Sequence, residues 1–209
     1  MVADLTRIDE ADVALLSRRG LLRVLLGGAL GGGVAGRFVE DADAQRSPRP
    51  WRTIGDCSYA AWLGELKYYR SPVAAEIGRA WRAARPHSLL CLGMMYMESQ
   101  YATDFSTRNP RSNRNPLSHR SVDNPAWFYG GTPNGEFMRY PDWSTGIAAW
   151  RSRITDPAYK GGVYNDTVTI ADLIHVYAPS SDGNDEREYG RVVRTVIARV
   201  RERQRALSG

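Results

Sequence analysis

Glu98 is the residue whose setting most suggests chemistry, because it ends a stretch, Pro86 to Met97, that holds no Asp, Glu, Lys or Arg. A carboxyl at the end of a buried helix sits where loss of water disfavours its ionised form and raises its pKa, which is what a general acid at neutral pH requires. The same pattern also fits a helix-end glutamate reaching into solvent. Other chemistries find less support. His87, His119 and His175 have no carboxylate or cysteine at metal-ligand spacing, and His-Glu-x-x-His is absent, so no metal is expected. There is no Gly-x-Ser-x-Gly elbow and no phosphate-binding glycine loop, and no cofactor is called for. Cys57 and Cys91 could close one disulfide in an oxidising compartment, or Cys91, within Leu89-Leu90-Cys91-Leu92, could pack as a buried free thiol.

The elements that must position Glu98 are mainly helical. Ser71-Pro72 predicts a helix start, with Ile77, Ala80, Trp81 and Ala84 on one face and a stop before Pro86. A second helix from His87 or Ser88 carries the most apolar stretch of residues 45–209 and belongs in the centre of the domain. Residues 105–126 read as a long irregular loop, rich in Arg and Asn-Pro steps. Trp127-Phe128-Tyr129 and Glu136-Phe137-Met138-Arg139-Tyr140 flank a Gly-Gly-Thr-Pro-Asn-Gly turn and predict a small hairpin. Helical spacing returns at Ile147, Trp150, Arg151 and Ile154. Thr169 and Asp172 make a capping box for a helix through Tyr177, and Tyr189, Val192, Val193, Val196, Ile197 and Val200 form the stripe of a last helix. Helices around one hairpin predict a mostly α, α+β domain.

Charge divides the 209 residues unevenly. Residues 1–44 carry five Arg against seven acids, whereas residues 45–209 carry 23 basic and 16 acidic side chains, a net +7 that is nearly all arginine. A basic domain expects a polyanion: nucleic acid, anionic lipid or cell-wall polymer. The first segment chooses among them. Ser17-Arg18-Arg19, a glycine-loaded apolar run from Leu21 to Gly36, and Ala42-Asp43-Ala44 resemble a twin-arginine export signal with cleavage after Ala44. An uncleaved N-terminal anchor or a soluble basic helix is the alternative. On this reading residues 1–44 are the signal, 45–50 a Pro/Arg linker and 51–209 one domain. The protein is secreted or held in the envelope, meets the membrane only during export, and meets cell wall in preference to nucleic acid.

Met95-Tyr96-Met97-Glu98-Ser99-Gln100-Tyr101-Ala102-Thr103-Asp104 resembles the Glu-Ser motif of lysozyme-like peptidoglycan hydrolases, specifically the glucosaminidase (endo-β-N-acetylglucosaminidase-like) family. Three further segments resemble that family's motifs in order: Asn115-Pro116-Leu117, Phe137 to Ile147, and Tyr177-Ala178-Pro179 leading to Asn184 and Tyr189. Ser118-His119 departs from it, standing where an aromatic-Gly pair is common. The resemblance implies a lysozyme-like helical domain that cleaves β-1,4 bonds between amino sugars in peptidoglycan glycan strands, with Glu98 as general acid. It places Tyr177 near the reacting sugar and Tyr101, Asn115, Phe137 and Tyr140 along the substrate groove. A second carboxylate is sought among Asp104, Asp123, Glu136 and Asp142, with Glu136 preferred for its place on the hairpin. A lytic transglycosylase and a non-catalytic wall-binding module are the alternatives. Anionic wall polymer then becomes the expected partner of the basic surface.

Overall fold

The computed structural model describes residues 50–103 and 110–209. The proposed signal, most of the linker, Asp104 and Arg108 lie outside the described residues. Helices α1 (Tyr59–Tyr68), α2 (Ile77–Ala84), α3 (Ser88–Ser99), α4 (Pro110–Asn113), α5 (Trp143–Thr155), α6 (Ile170–Tyr177) and α7 (Glu186–Ala206) surround a two-stranded antiparallel hairpin of β1 (Thr132–Asn134) and β2 (Phe137–Arg139). The fold is mostly helical, α+β, as the sequence pattern predicts. No helix among the described residues is long and apolar enough to cross a membrane.

The core is organised by α3, of which every residue except Met97 is buried. A helix whose residues before Glu98 carry no charge can be enclosed in this way because its backbone polar groups are satisfied internally. Across it lies α7, whose Tyr189, Val192, Val193, Val196, Ile197 and Val200 are all buried. The two backbones meet at Gly93, where an added Cβ would stand 2.9 Å from Val193 Cγ1 and 3.0 Å from its carbonyl oxygen. Glycine is required there by the closeness of the neighbouring backbone, not by its own conformation.

Helix α1 attaches to α7 through a buried ion-pair cluster. Glu65 is fully buried, and its carboxylate accepts hydrogen bonds from Tyr101 Oη at 2.7 Å, Arg203 Nη1 at 2.7 Å and Arg199 Nη2. Two guanidinium groups meet a charge that would be costly if left alone. The domain's first residues close onto the far side, where the buried Trp51 donates Nε1–H to the carbonyl of Thr167 at 3.0 Å.

The predicted helix starts hold at Ser71, whose hydroxyl accepts from Val73 N–H, and at Thr169, which with Asp172 forms the capping box of α6. The first of these opens as a 3-10 turn, Pro72–Glu76, before α2 begins. The hairpin departs from the sequence reading. Thr132-Pro133-Asn134 is the first strand, the turn is Gly135-Glu136, and Trp127 belongs to a short 3-10 turn. Gly135 takes φ +64°, the positive value that a two-residue II′ turn needs at its first central position. Pro133 is tolerated because a two-stranded ribbon has only edge strands.

Both cysteines are buried free thiols. Burial pushes the Cys57 thiol up to about 11 and the Cys91 thiol well above its ordinary value. Neither ionises near neutral pH, and the thiolate is the reactive form. Native protein at pH 8 is therefore expected to give no thiol titre with a disulfide reagent and two thiols per chain once denatured in guanidinium. A denatured titre of zero would mean that the pair is oxidised. Gly93→Val is expected to cost about 1–3 kcal/mol through overpacking against Val193, measured by urea unfolding. Stability equal to wild type would show that the helices do not approach so closely.

Candidate active site

The end of α3 is shaped by its last turn and by the three residues beyond Ser99. Gln100, Tyr101 and Ala102 take φ of 46°, 60° and 64°, three successive non-glycine residues in the left-handed region. Such a turn persists only where surrounding contacts over-determine it. Those contacts are present: Ser71 Oγ donates to the Tyr101 carbonyl at 2.6 Å, Tyr101 Oη reaches Glu65, and Ser99 Oγ accepts from Ala102 N–H at 2.9 Å. Ser99 Oγ in turn donates to the Pro116 carbonyl at 2.6 Å, drawing the Asn115-Pro116-Leu117 segment onto the helix end.

Glu98 lies inside this junction with 4% of its surface exposed. Its Oε1 accepts a hydrogen bond from Tyr189 Oη at 2.8 Å, and Tyr189 is itself 1% exposed on α7. Tyr177 stands close by at the end of α6, where its hydroxyl donates to the Leu117 carbonyl at 2.6 Å. Desolvation, and after it the charge of Glu98, hold the Tyr177 hydroxyl well above its ordinary pKa, so it remains a proton donor. Glu98, Ser99, Leu117, Tyr177 and Tyr189 thus converge from separate segments. A largely buried carboxyl oriented by one phenol, beside a second, has the composition of a proton-donating site.

Other residues read as site candidates occupy different positions. Tyr101 is fully buried, and its hydroxyl is engaged with Glu65. Asn115 is 2% exposed and organises its own loop: Nδ2 donates to the carbonyls of His119 and Met138, and Oδ1 accepts from His119 N–H. Tyr140 is 2% exposed and meets His119 Nδ1 at 2.9 Å. The structure places these three side chains in the core. Each can satisfy its polar group internally, so nothing forces it outward. Phe137 is half-buried on β2. Glu136 is exposed in the hairpin turn, and its carbonyl accepts from Ser121 N–H at 2.8 Å.

Of the other candidate carboxylates, Asp123 is exposed, while Asp142 caps α5 by accepting from Thr145 N–H at 2.7 Å. Partial burial opposes the charge of Asp142, but the bonds from Thr145 and Ser144 and the nearby Arg79 keep its pKa below the usual aspartate value. An anion at a helix N-terminus is well placed for that duty and poorly placed to accept a proton.

Tyr189 is the partner that sequence reading misses. Its signal is slight: it is the one polar-tipped member of an otherwise Val/Ile stripe. Comparison with known protein families, with curated proteins and with solved structures finds no match to this chain.

Removing the phenol of Tyr189 takes a donor from a buried carboxyl. Tyr189→Phe is therefore expected to lose about 1–2 kcal/mol in urea unfolding, whereas Tyr59→Phe, on an exposed ring, is expected to change stability by less than about 0.5 kcal/mol. Equal values for the two would remove Tyr189 from its assigned role.

Proposed function

We propose that this protein is an exported glycoside hydrolase that cleaves β-1,4 bonds between amino sugars of peptidoglycan, of endo-β-N-acetylglucosaminidase type. The observation that carries the proposal is the Glu98 carboxyl, nearly closed off from water at the end of α3 and oriented by Tyr189. A carboxyl buried there and held by a phenol is positioned to exchange a proton with a leaving group. The motif resemblance around Glu98, Asn115 and Tyr177 supplies the substrate class, and the convergence of these segments in space supports it.

In the proposed reaction the Glu98 proton passes to the glycosidic oxygen as the bond from the anomeric carbon to that oxygen breaks. The resulting carboxylate then accepts a proton from the incoming water. Tyr177 lies beside the reacting sugar, its phenol positioned to orient the N-acetyl group or that water. The oxocarbenium charge is met by a carboxylate or by the sugar's own N-acetyl oxygen, and Glu136 is the preferred carboxylate. The reading needs no metal or cofactor. Export rests on the twin-arginine-like segment of residues 17–44, and the net +7 of residues 45–209 suits an anionic wall polymer as partner.

A zymogram against peptidoglycan tests the proposal. Wild-type protein is expected to clear the gel and Glu98→Gln to lose at least about 100-fold in activity, the scale of general acid catalysis. Equal clearing by both, or none from either, would overturn the assignment. Mass spectrometry of the fragments separates the outcomes further. Reducing-end N-acetylglucosamine supports the proposal, whereas anhydro ends would identify a transglycosylase.

A further inference from the structure

Arg153 is unusual among the arginines of this domain. It lies on α5 with 5% of its surface exposed, and no carboxylate among the described residues pairs with it. Its partners are neutral: the Arg120 carbonyl at 3.4 Å, the Trp127 carbonyl at 3.5 Å, and the Tyr159 phenol. Its Nε–H is buried with no acceptor. Arg199 also leaves Nε unused, but its charge is met by Glu65. A buried cation left without a counter-charge is unfavourable, and two long bonds to carbonyls offset little of that.

His119 supplies the second half of the arrangement. It is 4% exposed, and burial, followed by the charge of Arg153, drives its pKa well below the ordinary value, so the ring is neutral. His119 Nδ1 and Tyr140 Oη meet at 2.9 Å, and with the phenol as donor the ring hydrogen lies on Nε2. That Nε2 is also buried and without a partner. The loop residue joined to His119, Arg120, gives its carbonyl to Arg153, so the two groups belong to one locality. Among the described residues, Arg153 Nε–H and His119 Nε2 have no partner and the positive charge of Arg153 meets no carboxylate. Water would satisfy the donors and leave the charge unmet.

We propose that Arg153 and His119 form an internal binding site for a small monovalent anion of the halide class, held between α5 and the loop that leads into the hairpin. The low exposure of both side chains restricts the occupant to a compact ion. Its Coulomb attraction to Arg153 would tie the Arg120 and Trp127 segments to α5. The anion site does not rest on the reaction assigned to Glu98, although the charge of Arg153 is felt by Tyr177 beside it.

Thermal unfolding at constant ionic strength tests the site, with sodium gluconate replaced stepwise by sodium chloride or bromide. The expected result is a saturable rise of roughly 3–6 °C once the halide exceeds its Kd about tenfold. Arg153→Met is expected to melt at the same temperature in all three salts. In crystals of wild-type protein grown in bromide, an anomalous peak is expected between Arg153 Nε and His119 Nε2, which decides the matter even if the variant does not fold. Equal melting of the wild type in gluconate and halide, a halide rise retained by Arg153→Met, or no bromide peak would each overturn the proposal.

Discussion

The approach of α3 to α7 at Gly93 and Val193 is the constraint on which the remainder depends. Nothing larger than a hydrogen fits between the backbones there, so the spacing of the two central helices is set by a single residue. Glu98 is five positions beyond Gly93 on one helix, and Tyr189 is four positions before Val193 on the other. The helices therefore run in opposite senses, with the carboxyl–phenol bond a little over one turn from the close contact. A change in helix spacing at Gly93 would be carried directly to the 2.8 Å bond that orients Glu98. Helix packing and the orientation of the carboxyl are in this way parts of one interface.

Buried charge is handled in two ways in the same domain. Glu65 is surrounded by two guanidinium groups and a phenol, and this cluster pins α1 to α7 and reaches the turn after α3 through Tyr101. Among the described residues Arg153 bonds only to neutral groups. The first arrangement is complete within the described residues, whereas the second is the one to which the proposed anion would bring a balancing charge. Their contrast is between a buried carboxylate met by two half-buried arginines and a buried arginine held by carbonyls.

Elements with a strong local signal were legible in the sequence. The stripe on α7, the capping box of α6 and the uncharged run of α3 are each encoded within one segment, and the structure keeps all three. Helix α1 was not legible, because one of its four buried positions is Glu65, and a charged residue breaks the apolar pattern that would reveal a buried face. The hairpin register was misplaced for a related reason. Trp127, Phe128 and Tyr129 have strand-like side chains, yet Trp127 and Tyr129 pack against Tyr159, a tertiary preference that no local pattern announces. At the candidate site, Glu98 announced itself by the absence of charge before it. Tyr189 did not, since its partner lies 91 residues away in the chain.

The left-handed turn of Gln100, Tyr101 and Ala102 bears on when the site comes into being. Its conformation is locally unfavourable and is imposed by Ser71, Glu65 and Pro116, segments far away along the chain. Helix α3 can form from its own sequence, but its end acquires this shape only after those distant segments have arrived. A chain with its helices formed and its long-range contacts unmade would carry Glu98 without the surroundings that orient it. The orientation of the Glu98 carboxyl is thus a property of the assembled tertiary structure and not of α3 alone.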